Sequence, residues 1–417
     1  MSMLLVALLQ IPTPPVDPGV AIDLHVRAGR YLAALDAAEH RALESEDPFV
    51  LDQLGLVQSF AGQEEEMLAT FDQMNGENAA PAGSTPVDDA TALDAIPALV
   101  EAARGRRIVV LNESHHMPRN RAFALELARA LRAEGFDTFA AETFADAAGL
   151  QQRGWPDAST GYYTAEPVFG ELVRGAAALG YRLVEYEWKP TGPPATDVGA
   201  QIRVRETTQA KNLHERVFQA HPEARLFVYV GYSHATEDWS DPGGPNERAW
   251  MSARLAKLTG FDPLTIDQTE CVPHSEARFE NAHWRRAVER GLLDAPKVLR
   301  PASGDGFVVV GTYAGKVDAQ VFHPRTPPVH GRPGWLARGR SAFAIPSDLA
   351  AKIPGDERVL LQAFHASEGT GAIPADQFVV ESGAVPPWFL LASGTYRLAI
   401  QDVDGKTLAT QDGVHVE

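Results

Sequence analysis

Short apolar runs alternate with longer amphipathic segments through the middle of the chain. The run 108–111 is β-branched and lies between charged or polar residues, which is typical of a buried parallel strand. Residues 122–134 place apolar side chains at helical spacing, and Gly135 follows as a stop signal. Similar apolar runs predict further strands at 138–142, 181–187 and 225–230. This alternation predicts an α/β fold with a mostly parallel sheet flanked by helices.

Ionisable residues stand at the points where three of these strands end. Glu113, His115 and His116 follow the first strand. Glu142 closes the second, and His234 follows the last. Because parallel strands present their carboxyl ends at one edge of a sheet, we expect these side chains to converge. Clustered titratable groups in a cleft are what acid/base chemistry or metal binding requires, so this edge is the predicted functional site.

The segments on either side of the α/β domain, which we place at 88–338, have different patterns. Residues 21–75 contain short amphipathic stretches with a Gly-x-Tyr-x-x-Ala spacing, which predict a helical hairpin of the tetratricopeptide type. Residues 76–87 are rich in small and turn-forming residues and predict a flexible linker. Residues 339–417 alternate short apolar runs with turns and predict a small β-sandwich. Because each flank has its own apolar pattern, we expect the α/β domain to fold without either of them.

Composition and charge limit the classes of protein to which the chain can belong. A chain of 417 residues with 45% hydrophobic residues can bury a large core and divide into two or three domains. Its formal charge of −18 argues against a nucleic-acid or anionic-membrane surface, because both require clusters of lysine and arginine. We therefore expect a small-molecule or peptide substrate as the partner. The oligomeric state stays open.

The single cysteine and the N-terminus bear on the cellular compartment. With Cys271 alone, neither an intramolecular disulfide nor an all-cysteine zinc site can form. Residues 1–20 contain an apolar run too short to span a bilayer, and we interpret them as either an atypical signal or an apolar packing segment. The first interpretation makes the protein periplasmic or secreted, and the second makes it cytoplasmic. No other segment approaches the roughly 20 apolar residues that a membrane helix needs, so no membrane span is predicted.

Several short motifs follow one another in a specific order between about residue 88 and residue 338. They are Asn-Glu-Ser-His-His at 112–116, Arg-Ala-Phe at 121–123, Ala-Ala-Glu-Thr at 140–143, Arg-Glu-Thr-Thr-Gln at 205–209 and Gly-Tyr-Ser-His at 231–234. Together they resemble the superfamily of erythromycin esterases, ChaN haem-binding lipoproteins and Tiki/TraB proteases. Asn112 stands where members typically carry glycine. A Gly-Glu-x-His pattern would give the catalytic role to His115 and a Gly-Glu-x-x-His pattern to His116; we favour His115.

The resemblance also implies roles for residues that the strand ends do not single out. It places Arg205 in the site. Arg121 and Tyr232, which belong to two of the motifs, are assigned to substrate binding. The resemblance further implies that the site is enzymatic.

The leading hypothesis is a hydrolase of the erythromycin esterase-like type that activates water against an ester, lactone or amide. A neutral imidazole can take a proton from water near pH 7, and a neighbouring carboxylate fixes its tautomer. Glu113 or Glu142 would orient the base. His115 or His234 would be that base, and Arg205 would stabilise the developing oxyanion. Because functional clusters are usually under-packed, we expect replacement of His234 to leave stability nearly unchanged.

Other hypotheses keep the same residues in different roles. As the Tiki resemblance implies, Glu113, His115, Glu142 and His234 would bind Mn, Fe or Zn with an open position for water. As the ChaN resemblance implies, the histidines would capture haem or another small ligand. An interaction protein built on a degenerate site is the remaining alternative. The chain contains no Gly-x-Ser-x-Gly elbow, which disfavours a serine nucleophile.

Overall fold

A helical unit opens the part of the chain that the structure describes. The structure is a computed structural model, and it describes residues 17–45, 47–78, 84–190, 197–240 and 247–417. The apolar run of the predicted segment 1–20 and residues 79–83 of the predicted linker therefore lie outside the described residues. The unit consists of α1 (Pro18–Arg27), α2 (Tyr31–Glu44), α3 (Pro48–Phe60) and α4 (Glu64–Asn75). Each helix packs on the next, so four helices occupy the region where the sequence predicts one hairpin.

The central domain is built on an eight-stranded, mostly parallel sheet. The strands of this domain are β1 (Thr91–Asp94), β2 (Ile108–Glu113), β3 (Thr138–Ala141), β4 (Arg182–Val184), β5 (Leu226–Gly231), β6 (Trp239–Ser240), β7 (Arg248–Ala249), β8 (Leu264–Asp267), β9 (Lys297–Arg300) and β10 (Ala319–Phe322). Of these, β6 and β7 are short and pair with each other outside the main sheet. The order across the sheet is β1-β9-β10-β8-β2-β5-β3-β4. The strands from β10 to β4 are parallel, whereas β9 is antiparallel to both of its neighbours. The predicted sheet is confirmed.

Helices cover both faces of this sheet. They are α5 (Ala95–Ala102), α6 (Pro118–Ala133), α7 (Ala147–Arg153), α8 (Pro167–Ala178), α9 (Val198–Leu213), α10 (Met251–Thr259) and α11 (Ala282–Glu289). Val109 and Leu111 of β2 enter an apolar cluster with α5 to α8. Ile108 and Val110 enter a second cluster with α9 and α10 on the opposite face. Because both faces of β2 are buried, its sequence is a continuous apolar run and does not alternate with polar residues.

The C-terminal region forms small antiparallel sheets. Its elements are β11 (Ser341–Phe343), α12 (Ser347–Ala350), β12 (Val359–His365), β13 (Asp376–Val380), β14 (Phe389–Leu391), β15 (Gly394–Gln401) and β16 (Thr407–Val416). One sheet has the order β13-β12-β15-β16, and β11 pairs with β14 in a second. Leu361 of the first sheet and Phe389 of the second belong to one apolar cluster. The two sheets therefore share a core.

The flanking regions are packed into the central domain, contrary to our expectation that the domain folds without them. Leu32 of α2, Ala165 of the central domain and Leu360 of β12 belong to one buried cluster. Arg358 at the start of β12 pairs with Glu39 of α2 at 2.7 Å. The predicted linker is also too long, because Val87 is fully buried in the central domain. Three regions that the sequence separates thus share one interior.

This shared interior gives a stability prediction. Leu360→Ala should lower the free energy of unfolding by about 2–5 kcal/mol, because it opens a cavity where β12 meets α2. Deletion of residues 1–74 should lower it further and reduce the yield of soluble protein. Denaturant titration measures both effects. Leu408→Ala, at a side chain of β16 that is 38% exposed, is the matched control and should change stability little. A truncated protein that unfolds like the full chain would restore the independent-domain interpretation.

Among the described residues, no helix combines the length and the apolar composition that crossing a bilayer requires.

Candidate active site

The candidate site lies where three neighbouring strands end. Glu113 is the last residue of β2 and is paired in register with Gly231, the last residue of β5. Glu142 directly follows β3, which adjoins β5 on its other side. His234 lies in the short 3-10 helix Tyr232–Ala235 that follows β5. The structure brings the strand-end residues together, as parallel topology predicts.

Glu113 and His115 form the first carboxylate–histidine pair. The Glu113 Oε1 atom lies 2.9 Å from His115 Nδ1, and Arg121 Nε donates to Glu113 Oε2 at 2.8 Å. Burial alone would raise the pKa of Glu113, but the charge of Arg121 and the contact with His115 lower that pKa below its ordinary value. The His115 ring stacks on Tyr163 with ring centroids 4.2 Å apart. The imidazole is therefore held in one orientation beside a carboxylate that stays ionised.

Gly231 allows this imidazole to reach the second strand. A Cβ atom at Gly231 would lie 2.6 Å from His115 Nε2, so any larger residue would displace the ring. The same position would be 3.1 Å from Glu142 Oε2, which accepts the Gly231 N–H at 2.6 Å. Because Gly231 has no side chain, the His115 ring can lie against its backbone, with Nε2 on the side of Glu142.

His234 and Glu206 form the second pair, on the other side of Glu142. Glu206 Oε2 lies 2.7 Å from His234 Nδ1 and also accepts the Met251 N–H at 2.9 Å. Glu206 is fully buried on α9. We did not predict Glu206 from the sequence, although it directly follows Arg205 in one of the motifs. Its role is set by the packing of α9 against the start of α10, which local sequence does not show.

Arg205 connects the second pair to the strand ends. Its guanidinium bonds Glu142 and, through Nε at 3.0 Å, Glu187. His234 Nε2 lies 3.2 Å from Arg205 Nη1 and 3.4 Å from Glu142 Oε1. Burial lowers the pKa of His234, but Glu142 and Glu206 outweigh it and raise that pKa overall. The imidazolium form of His234 is thereby favoured.

Glu142 is the carboxylate shared by these groups. Burial opposes its charged form, yet His234, His115 and Arg205 together lower the pKa of Glu142 to about 2. The site therefore combines an ionised carboxylate, a guanidinium and two imidazoles, each imidazole with its Nδ1 held by a separate carboxylate. Such an arrangement can move protons and stabilise developing negative charge.

Arg121 does not have the substrate-binding role that we predicted. Its side chain has no exposed surface, and it pairs with Glu113 and, at 3.0 Å, with Glu166. Glu166 is itself held by the backbone N–H groups at the start of α8. Because two buried carboxylates require a cation between them, Arg121 is a positioning residue below the site.

The structure separates the two candidate histidines of the first motif. His115 takes the contact with Glu113, whereas His116 turns toward the helical unit and stacks on Phe71 of α4. Burial holds the pKa of His116 well below its ordinary value, so its ring is neutral. The geometry therefore agrees with our preference for His115 over His116, and the catalytic assignment stays a prediction.

Tyr232 stays a candidate for substrate contact. Its φ of 42° is rare for a residue with a side chain and lies in the left-handed region. Its ring lies edge-on to His115, with centroids 5.2 Å apart, and the residue is 37% exposed. A strained, partly exposed residue beside the proposed base is consistent with a substrate-binding role.

A metal ion does not fit this arrangement of donors. Within the described ranges, no three or more His, Cys, Asp and Glu side chains form a group that could hold a metal ion. Arg205 already supplies a cation to Glu142 and Glu187. The Glu142 carboxylate, which a metal ion would need as a ligand, is thus already paired with Arg205.

Haem ligation fits the arrangement no better. An axial histidine must present its free ring nitrogen to the open face of a macrocycle. The Nε2 atom of His115 lies over the backbone of Gly231, and that of His234 faces Arg205. Each nitrogen thus has a protein group close beside it.

Comparison with known proteins gives only distant structural likenesses. No protein-family model matches the chain, and no curated protein sequence matches it. RRSP, a MARTX toxin effector domain from Vibrio vulnificus, is 15% identical over 53% of this chain and 50% of that chain, with a TM-score of 0.30. The type III effector HopBA1 is 16% identical over 50% of this chain and 94% of that chain, with a TM-score of 0.28.

A further similar structure is the C-terminal region of Pasteurella multocida toxin, for which a thiol-protease-like catalytic triad is described. It is 9% identical over 74% of this chain and 46% of that chain, with a TM-score of 0.31. The chain spans half or less of the RRSP and Pasteurella toxin structures. Function therefore has to be inferred from the residues of this chain.

The low pKa of Glu142 gives a prediction for the pH dependence of stability. Its carboxyl has a pKa of about 2 in the folded protein against an ordinary value of 4.5. Its ion pairs therefore contribute fully above pH 4.5, and the contribution is lost as the pH falls from 4.5 toward 2. Glu142→Gln should lower the free energy of unfolding at neutral pH by roughly 3 kcal/mol, and this difference should shrink in acid.

Urea titrations across the pH range measure this difference directly. Glu223→Gln, at an exposed carboxylate, is the control and should leave the curves superimposed. A constant difference between the parent protein and Glu142→Gln at all pH values would show that the pKa of Glu142 is the same in the folded and the unfolded protein.

Proposed function

We propose that this protein is a hydrolase that activates water against an ester, lactone or amide, with His115 as the general base. The observation that carries the proposal is the Glu113–His115 pair, whose free ring nitrogen lies beside the Glu142–Arg205–His234 cluster. An oriented base next to cations is the minimal equipment for hydrolysis. The resemblance to erythromycin esterases supports the same reaction class.

In the proposed reaction, Glu113 fixes the tautomer of His115. The carboxylate accepts a hydrogen bond from Nδ1–H at 2.9 Å, which leaves the Nε2 lone pair free to accept a proton from water. The resulting hydroxide oxygen attacks the carbonyl carbon, and the imidazolium is stabilised by Glu113. The nucleophile is water, in agreement with the lack of a serine elbow.

Arg205 and His234 have the complementary role. Attack converts the carbonyl oxygen into an oxyanion, and the Arg205 guanidinium, whose Nη1 lies 3.2 Å from His234 Nε2, provides positive charge that stabilises it. The pKa of His234 is raised above its ordinary value by Glu142 and Glu206, which favours the protonated ring. His234 is therefore suited to give a proton to the departing oxygen or nitrogen when the C–O or C–N bond breaks.

The test is a substrate screen with chromogenic esters, lactones and peptides, using the parent protein and His115→Ala. We expect turnover that survives exhaustive chelation and disappears in the variant. Turnover that requires added Mn, Fe or Zn would favour the metal-dependent protease. A Soret shift on titration with haem, without turnover of any substrate, would favour the haem-binding alternative.

The sandwich architecture of residues 339–417 and the assignment of the helical unit to a tetratricopeptide type also stay proposals.

A further inference from the structure

A short segment of the central domain lies between the helical unit and the proposed base. We call residues 161–166 the strap. A Cβ atom at Gly161 would overlap the carbonyl oxygen of Thr143, and the Tyr163 N–H donates to Thr143 Oγ1 at 3.1 Å. Thr143 directly follows Glu142. The strap is therefore fixed against the edge of the sheet where the candidate site lies.

On one side, the strap supports both members of the first carboxylate–histidine pair. The Tyr163 ring stacks on the His115 ring, with centroids 4.2 Å apart and planes inclined by 11°. Glu166 Oε2 accepts a hydrogen bond from Arg121 Nη1 at 3.0 Å, and Arg121 in turn bonds Glu113. A shift of the strap would therefore move the imidazole and the cation that holds its carboxylate.

On the other side, three helices of the helical unit hold the strap. The Tyr162 hydroxyl donates to Asp23 of α1 at 2.8 Å. Tyr31 of α2 is fully buried, and its hydroxyl donates to the Ala165 carbonyl oxygen at 2.9 Å. The Tyr162 ring also packs on Phe60 of α3, with ring centroids 5.8 Å apart. The place of the strap thus depends on contacts with a separate region of the chain.

The bond to Glu113 does not fix the His115 ring by itself. One hydrogen bond at Nδ1 leaves the imidazole free to swing about that contact, and the Nε2 lone pair that must face the attacking water swings with it. Tyr163 covers one face of the ring, and Tyr232 lies edge-on to it. Because a misplacement of about 1 Å can lower a rate by roughly a hundredfold, the position of Tyr163 bears directly on catalysis.

We infer that Tyr163 is a positioning residue for the proposed base, and that the helical unit sets its place through Tyr162 and Ala165. This inference rests on the proposed hydrolase function and adds the region of the chain that controls its base. Tyr163 acts on the reaction only through His115. A substitution in α1 should therefore alter hydrolysis although α1 lies behind the strap.

Two substitutions of Tyr163 test the stacking. Tyr163→Leu keeps an apolar side chain but loses the aromatic face, and it should lower kcat by roughly fivefold to tenfold while KM changes little. Tyr163→Phe retains the ring and should keep the kcat of the parent protein. Steady-state kinetics with the best substrate of the ester, lactone and peptide screen measure both variants.

The His115 ring also gives a signal that needs no substrate. A stacked aromatic ring shifts the proton resonances of its neighbour upfield, so the His115 Cε1–H signal should lie upfield in protein with ¹³C-labelled histidine. The signal is assigned by its loss in His115→Ala. It should move downfield in Tyr163→Leu and stay in place in Tyr163→Phe.

Substitutions at the helical unit test the second half of the inference. Tyr162→Phe removes only the hydroxyl that binds Asp23, and Asp23→Ala removes the acceptor. Each should move the His115 signal part of the way toward its position in Tyr163→Leu and lower kcat in the same order. Because both act through one hydrogen bond, the double variant should not exceed Asp23→Ala.

Glu39→Gln is the matched control. It removes an ion pair of 2.7 Å between α2 and Arg358, which ties the helical unit to the C-terminal region without touching the strap. It should leave the His115 signal and kcat unchanged. A His115 signal and a kcat that are the same in the parent protein, Tyr162→Phe and Asp23→Ala would overturn the inference and leave the hydrolase intact. A signal that responds to these substitutions, in a protein that hydrolyses no ester, lactone or amide, would overturn the hydrolase and retain the positioning of His115.

Discussion

Replacing His115 by alanine should lower kcat/KM for the best ester, lactone or amide by roughly a hundredfold or more. This is the scale expected when a general base is lost. The stability cost should be small, because Glu113 keeps its bonds to Arg121 and the His115 side chain is already 23% exposed. Steady-state kinetics and thermal unfolding of the same preparation measure the two halves of this prediction.

His221→Ala is the matched control, since His221 is exposed at the end of the segment that follows α9. It should change neither activity nor unfolding temperature. Full activity in His115→Ala together with inactive His116→Ala would assign the base to the neighbouring histidine. That result would contradict the geometry of the first carboxylate–histidine pair.

His234 differs from His115 in its expected effect on stability. The sequence led us to expect that its replacement leaves the fold unaffected. In the structure, however, its removal leaves Glu206 fully buried without its imidazole partner and deprives Glu142 of a neighbouring cation. A buried carboxylate that loses its partner is costly, so His234→Ala should lower both activity and the free energy of unfolding. His115 is consequently the cleaner test of catalysis.

Replacing Arg121 by methionine should give the largest loss of stability of any single substitution that we predict. The side chain is fully buried between Glu113 and Glu166, and its removal leaves two buried carboxylates without a cation. Breaking such a network costs about 3–5 kcal/mol. Arg121→Lys should rescue only part of it, because an ammonium cannot bond both carboxylates through a planar fork. Chemical denaturation measures the free energies.

Arg129→Met is the control on the same helix, because Arg129 is exposed. It should stay within about 0.5 kcal/mol of the parent protein. Activity should also fall in Arg121→Met, since Glu113 loses the partner that fixes its position. An Arg121→Met protein that is stable but binds substrate poorly would restore the substrate-binding role predicted from the sequence.

The position of the site could be predicted from the sequence, because it depends on a local signal. Each buried strand is an apolar run, and a charged residue directly after such a run must lie at the carboxyl end of the strand. Glu113, Glu142 and His234 follow this rule. Parallel topology then brings them to one edge. The same local logic predicted the strands β2, β3, β4 and β5 and the helix α6.

Contacts between segments far apart in the chain could not be predicted in this way. Asn112, which stands where members of the resembled superfamily typically carry glycine, is a regular strand residue whose side chain donates to Asp267 of β8 at 2.8 Å. Glu206 lies on a helix that mixes apolar and polar residues and shows no local signal for a buried carboxylate. The role of Glu206 depends on which strand ends this helix faces. The spacing of residues along the chain does not show which strand ends these are.

The sequence by itself determined four neighbouring strands of the central sheet, the helix α6 and the edge at which the ionisable residues meet. The tertiary structure alone decided that Arg121 is buried, that His116 turns toward α4 and that Glu206 holds His234. The physical reason is that apolar periodicity specifies which face of an element is buried, whereas the partner of a buried charge is set by packing. The helices before the central domain therefore pack against the loop that carries His115 and His116, although their own sequence predicts only a separate hairpin.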